Sequence, residues 1–551
     1  MRCGAVRFES RFNTQNQNRD RIARFEKNSN LITFMKNFNL HFFAKGLITK
    51  SLGKNGNKPE EPECNGDLYE VAYSHYATFK GLIVGFLISS KDRESSRSYF
   101  LQKNAIQAFR LVEYELSFMY QVLHTKAVVI HGKFGYSLRV ITICSTVLGF
   151  VVFHFIGKHS FNNFEIEVTY SLFIVAIVLE AFSAFKLIIS DWFLMAAKGN
   201  WVIRYVPKAI MQRKRWSGLV SQKDIITHCL TPKIPFNTLK SKRVAKDFVG
   251  YFHKYGVLNI VKRFLAKFTY WKTVDNYLKN FIFSELKNKS QKAINLREAI
   301  ETCSERGEAA LLHNSSSYIK LKWSIGEFQY AESLLLWHLA TQLISNNTEQ
   351  KRSKSFWKLF GQCCFQTCIS QCHNDDDESS GSNPSEREYE KICKVISNYM
   401  FSILVNKPVM LAPVLGNWNV VFRDTCAEAN RFFDMHKLSN HSKACEKILS
   451  VKPKVRSTAM KGERSKSVLF DACILAQQLK NEKSRWKIMS GVWVEMLSYA
   501  AINCRPFVHA QQLSKGGELL TFTWLLMNHL GLGMQFADQE QQAATKMVAI
   551  I

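Results

Sequence analysis

Acidic side chains are scarce in this chain: 45 Asp and Glu stand against 74 Lys and Arg in 551 residues, a formal charge of +29. Such an imbalance favours anionic surfaces, either phospholipid headgroups or nucleic acid. The N-terminus, MRCGAVRFESRFNTQNQNRDR, lacks the compact apolar core of a signal peptide. It is Arg-rich and acid-poor like a transit peptide, but Asn and Gln stand where Ser and Ala would be expected. Without an export signal, the 14 cysteines read as reduced thiols, not a secreted disulfide framework. There is no G-x-S-x-G, no H-E-x-x-H and no G-x-G-x-x-G, so these signatures of hydrolases, zinc proteases and dinucleotide binders are absent. Charge itself is missing from one place. Between Val140 and Gly157 there is no Asp, Glu, Lys or Arg.

That stretch is about what an α-helix needs to cross hydrocarbon, ~20 residues. A second, Val168 to Ser190, is long enough too and is interrupted by Glu180 and Lys186. The link between them, Lys158 to Glu167, is too short for a domain, so the pair predicts a transmembrane helical hairpin with spans at about 140–157 and 168–190. Lys126, Lys133 and Arg139 precede it, and Lys198, Arg204, Lys208, Arg213, Lys214 and Arg215 follow, while the link has Lys158 beside Glu165 and Glu167. By the positive-inside rule both flanks face the cytoplasm. Glu180 near the bilayer centre needs a partner. Folding about the link midpoint sets it opposite Ser145. Thr142, Ser145, Thr146 and Gly149 then form a small polar stripe facing Ala176, Glu180, Ser183 and Ala184, a set of membrane-packing residues.

The remaining chain predicts a largely helical cytosolic region, giving a mostly α, membrane-anchored fold. Residues 1–66 form a basic, Phe-rich segment, with a candidate surface helix from Leu31 to Leu47. Leu101 to Leu123 has a helical pattern through Ile106, Phe109, Val112, Leu116 and Met119, and its Glu113 and Glu115, two apart, make a poor catalytic pair. Residues 67–345 are read as the membrane-associated domain. Its stretch from Asp191 to Ser290 holds 20 Lys and Arg against 5 Asp and Glu, a local charge of +15. Adjacency to the hairpin favours lipid with anionic headgroups over nucleic acid as its partner. Ser333 to Ile344 is a compact apolar helix whose His338 reads as a hydrogen-bonded core residue.

Residues 346–390 hold a Cys cluster, Cys363, Cys364, Cys368 and Cys372 with His373, followed by an acidic, Ser-rich linker. Cys364, Cys368 and Cys372 share one helical face. A structural zinc site normally draws on two knuckles, so Cys364, Cys368, Cys372 and His373 are weak metal candidates, and plain thiols or S-acylation fit better. Residues 391–536 form a helical C-terminal domain and 537–551 a tail. In it, Gly516 and Gly517 precede an apolar helix, Glu518 to Leu530, which Gly531 and Gly533 terminate. Lys515, Gly516 and Gly517 are a candidate anion contact, although the phosphate-loop spacing is missing. Cys426 near His436 lacks an orienting group or oxyanion site.

Several of these stretches resemble a known family. Residues 461–473 (KGERSKSVLFDAC), 492–501 (VWVEMLSYAA) and His509 to Phe536 resemble the plant domain of unknown function numbered 594. Residues 112–120 (VEYELSFMY), 123–127 (LHTKA) and Ser190-Asp191-Trp192 resemble its usual partner, domain of unknown function 4220; 305–308 (ERGE), 336–341 (LWHLAT) and 422–429 (FRDTCAEA) also fit. The resemblance covers most of residues 67–536, with residues 1–66 outside it. It implies a plant multi-pass membrane protein with no established activity, and it supplies no catalytic residues or cofactor. The expected function is a membrane-anchored scaffold or interaction protein, with protein partners and no catalysis. The alternatives are a membrane enzyme or transporter subunit using Glu180 or the Cys cluster, and a soluble nucleic-acid-binding protein.

Overall fold

The computed structural model describes residues 65–125, 133–157, 162–196, 213–230, 270–293, 295–312, 315–360 and 385–533, apart from 452, 454, 458–461, 463 and 464. The Cys cluster with His373, the acidic linker as far as residue 384, the tail, residues 1–64 and the basic stretch 197–212 lie outside them, while residues 386–390, read as linker, are helical.

Local capping sets where the first helices begin. Asn104 Oδ1 accepts from the Gln107 amide at 2.8 Å and Gln107 Oε1 from the Asn104 amide at 3.3 Å, a reciprocal box that satisfies two orphan donors. The helix therefore starts at residue 105, later than periodicity alone suggests, and Ile106 on its first turn is exposed. In chain order the first elements are α1 (Asn65–Phe79), α2 (Ser90–Leu101) and α3 (Ala105–His124). The hairpin α4 (Lys133–Phe155) and α5 (Asn163–Ile189) follows, then the short α6 (Asp191–Ala196).

Two four-residue strands, β1 (Leu219–Gln222) and β2 (Tyr270–Thr273), pair antiparallel with Leu219 opposite Thr273. Nothing in the sequence reading anticipated them. Helix α7 (Ile225–Leu230) follows β1 and α8 (Asn276–Lys292) follows β2, and short helices run from Leu296 to Gly326. The rest of the body is α9 (Tyr330–Phe360), α10 (Glu386–Asn406), α11 (Trp418–Met435), α12 (His441–Ser450), α13 (Leu469–Lys480), α14 (Arg485–Asn503), α15 (Pro506–Leu513) and α16 (Leu519–His529). Helices α13 and α14 are separated by a break at 481–484.

The core is built from α9, α10, α13, α14 and α16, which bury Trp337, Tyr399, Phe401, Trp486 and Trp493. His338 sits inside it. Its Nε2 accepts from the Ile225 amide at 3.2 Å, so Nδ1 donates to Ser397 Oγ at 2.8 Å, and the ring stacks on Phe401. Helix α16 also packs on α2 and α3, so helices from either side of residues 346–390 share one core.

The hairpin is different in kind. Its two spans, Gly135–Phe155 and Asn163–Leu187, have no part of their apolar window buried in protein. Leu148, Phe155, Leu172 and Leu179 are each more than 60% exposed. A water-soluble protein rarely leaves a contiguous apolar surface of more than a few hundred Å² uncovered. The chain is a membrane protein, mostly α, with a two-helix hairpin. Both helices begin earlier than the apolar stretches: α4 takes in Arg139, and α5 starts at a second capping box in which Glu165 accepts from the Asn162 amide.

Candidate functional site: two polar joints around the hairpin

In the hairpin, Arg139, Ile143, Thr146, Gly149, Phe150 and Phe153 are half-buried, as are Ala176, Glu180, Ser183 and Ala184 on the other helix. Thr142 and Ser145 are exposed and turn away. Their hydroxyls donate to their own helix, to Arg139 O at 2.9 Å and Thr142 O at 3.0 Å. Glu180 meets Arg139 at 3.4 Å, not Ser145. The expected register failed because the helices extend beyond the uncharged stretch, bringing in a cation that a search for uncharged residues excludes. Arg139 is four residues inside its span and Glu180 seven inside its own, or ~6 and ~10 Å deep at 1.5 Å per residue. In a core ~30 Å thick, Arg139 lies nearer one face and Glu180 nearer the centre. Towards the loop, Phe150 and Phe153 pack on Tyr170 and Phe173 with centroids 5.2–6.0 Å apart. A Cβ on Gly149 would lie 3.3 Å from Phe173.

The first joint fastens the hairpin to the body. Asp191, the first residue past α5's C-cap, is fully buried and accepts from Ser117 Oγ at 2.6 Å, Gln121 Nε2 at 3.0 Å, Arg213 at 3.1 Å and Arg215 at 2.8 and 3.1 Å. Burial alone would raise its pKa. The hydrogen bond and charge of Arg215, then Arg213, overcome that and hold it below the usual value. The Arg215 guanidinium lies 4.0 Å from the Tyr114 ring and donates to Tyr69, and Trp192 packs edge-on against Tyr73, Tyr76 and Phe118.

The second joint closes the body. At the end of α16, Leu532 N–H donates to Met527 O at 2.8 Å and Gly531 N–H to Asn528 O at 3.0 Å, with Gly531 at φ 72°. This is a Schellman cap. The next carbonyls are each taken: Leu530 O by Ser290 Oγ at 2.7 Å, Gly531 O by Arg93 Nε at 3.0 Å, Leu532 O by Cys303 Sγ at 2.9 Å. His529 enters between α2 and α3. Its Nε2 is 2.6 Å from Glu115 Oε2 and its Nδ1 2.9 Å from Ser96 Oγ, and the ring stacks on Phe100.

Serine, histidine and carboxylate in that order are the constellation of a nucleophile, its base and the base's orienter. Here they cannot act that way. Ser96, Glu115 and His529 are all buried, and Glu115 Oε1 has no hydrogen-bond partner among the described residues. Burial pushes the Glu115 carboxyl up to about 8, with His75 opposing, and pushes His529 down to about 3. The shared proton therefore rests on Glu115 and is donated to Nε2, leaving Nδ1–H to donate to Ser96. A base so far below neutrality takes no proton from a hydroxyl. The arrangement is a clasp. Sequence reading missed it, since Glu115 and His529 are 414 residues apart and no local spacing links them.

Residues 13–229 match the family model described as domain of unknown function (DUF4220), and residues 478–532 match protein of unknown function, DUF594. The chain carries both domains. No curated protein and no solved structure matches. The DUF4220 match begins at residue 13, so most of the segment read as lying outside the resemblance falls inside it. DUF4220 holds the hairpin, Asp191, Ser96 and Glu115, and DUF594 holds α14 to α16 with His529. The clasp fastens one domain to the other.

Other singled-out residues have mundane places. The Gly516 and Gly517 amides donate to Leu513 O and Gln512 O of α15, and the Glu518 carboxylate beside them takes Lys407 and the Tyr399 hydroxyl. The donors a bound anion would need are thus spent on α15, and Lys515 is exposed. Cys426 is half-buried on α11 and His436 exposed beyond its end. Among the described residues no group of three His, Cys, Asp or Glu is placed to hold a metal.

Proposed function

We propose that this protein is a membrane-anchored scaffold: a lipid-embedded hairpin holding a rigid helical body on the cytoplasmic face, where anionic headgroups and protein partners meet it. One observation carries the reading. The exposed apolar hairpin ends directly on the buried Asp191 joint, so the body is fixed to the membrane with no flexible tether at α5. Arg213, Lys214 and Arg215 beyond the hairpin, against Glu165 and Glu167 at its loop, support cytoplasmic flanks. The closed clasp supports a structural use of its polar groups.

Two measurements test this. After carbonate extraction the protein stays in the pellet; release into the supernatant would end the membrane reading. A glycosylation acceptor engineered near Asn162 is modified and one near Gly218 is not. The reverse pattern would invert the sidedness.

A further inference from the structure

The loop between α1 and α2 carries two consecutive large apolar side chains at its tip, Phe86 at 53% and Leu87 at 50% exposed. The chain buries Leu82, Ile83 and Ile88 around them, so water at the tip is not for want of apolar neighbours. Gly85, at φ 84°, shapes the turn, and Phe86 N–H donates to Gly81 O at 3.0 Å.

The place of this tip matters. Helices α1 and α3 run parallel, since Tyr69 meets Tyr114 and Tyr76 meets Phe118. The loop after α1 therefore lies at the C-terminal end of α3. The hairpin joins the body at that same end, where Ser190 donates to Gln121 at 2.9 Å and Trp192 packs on Phe118. Two more exposed aromatics belong there. Tyr120 is on the last turn of α3, one residue from Gln121. Phe507 is on α15, whose Ala510 carbonyl accepts from His124 Nε2 at 3.0 Å and which also packs on the turn Lys80–Val84.

We propose that Phe86, Leu87, Tyr120 and Phe507 form a second membrane contact, set into the interfacial layer of the bilayer the hairpin spans. This rests on the membrane reading above. The occupant is lipid because these exposed side chains sit at the end of the body where the lipid-facing hairpin joins it, and aromatic side chains with one apolar body suit that layer. The contact fixes the tilt of the body against the membrane, which a single hairpin leaves free to rotate.

The full-length protein in phosphatidylcholine vesicles tests it, with the photoreactive benzoylphenylalanine placed in turn at 86, 507, 179 and 319. Leu179 lies on the hairpin; Ile319 is exposed on a short helix that packs against α13. Irradiation should add the mass of one phospholipid at 86, 507 and 179 and none at 319. Lipid adducts at 179 with none at 86 and 507, or protein adducts at those two, overturn the proposal and leave the hairpin reading intact. Lipid at 319 as well would show unselective capture and also overturn it. No lipid at 179 removes the membrane reading and this proposal with it.

Discussion

Two buried acids, Glu115 on α3 and Asp191 hydrogen-bonded to Ser117 of the same helix, behave oppositely, and substitution should separate them. Glu115 carries its proton, so Glu115→Gln offers His529 a similar donor and should cost under ~1 kcal/mol. Asp191 is ionised between two arginines, so Asp191→Asn leaves Arg215, only 6% exposed, without its counter-charge. That should cost on the order of 3 kcal/mol. Thermal melts in detergent micelles check both, and equal losses would refute the protonation assigned to Glu115. Gly531 is constrained twice. Its φ of 72° suits glycine, and an added Cβ would stand 3.1 Å from Arg97 Cδ and 3.2 Å from Arg93 Nε. Gly531→Ala should lose about 2 kcal/mol and expose the α16 end to proteolysis. An unchanged melting temperature would mean the end of α16 is not anchored as drawn.

Among elements, the hairpin depends on a pair of charges within hydrocarbon. Removing either partner leaves the other unpaired in lipid, whereas removing both leaves an apolar helix pair. Arg139→Leu and Glu180→Leu should each reduce the amount of protein recovered in membranes, and the double variant should restore it. Additive losses would show that the two do not meet. This pair also marks how far sequence reaches. A charge-free stretch located the hairpin because lipid excludes charge strongly and locally. It could not place the ends, since Arg139 and Glu165 belong to the helices through pairing and capping. Periodicity found α3, where one apolar face repeats, and unbroken apolar runs found α9 and α16, which the core surrounds. Glu115 with His529, Asp191 with Arg215, and β1 with β2 are long-range partners that no single segment encodes. The Gly531 cap was legible because glycine after an apolar helix has a local cause.

For the molecule as a whole, four histidines held neutral, three of them buried and His75 half-buried, set the acid limit of stability. His75, His338 and His509 are pushed down to about 4 and His529 to about 3, mainly by burial. Unfolded, each takes up a proton near 6.5, so the folded state loses stability as pH falls from 6.5 towards 4. Glu115 works the other way. Its pKa, raised from 4.5 to about 8, means the folded state keeps a proton that the unfolded state releases, so stability falls as pH rises between those values. From 6.5 down to 4.5 the two effects oppose, and unfolding takes up a net three protons. That corresponds to a slope of at most ~4 kcal/mol per pH unit. The unfolded histidines still carry part of their charge just above 6.5, so the opposing effects balance at about pH 7, beyond which Glu115 gives a gentle alkaline decline to 8. Melting temperatures in nanodiscs across pH 4.5 to 8 should trace this asymmetric dome. His529→Gln, which keeps a hydrogen-bonding side chain and removes one titration, should make the acid limb shallower by one proton. A flat profile from 6.5 to 4.5 would mean these rings are not held neutral, and the buried clasp between the two domains would fail with them.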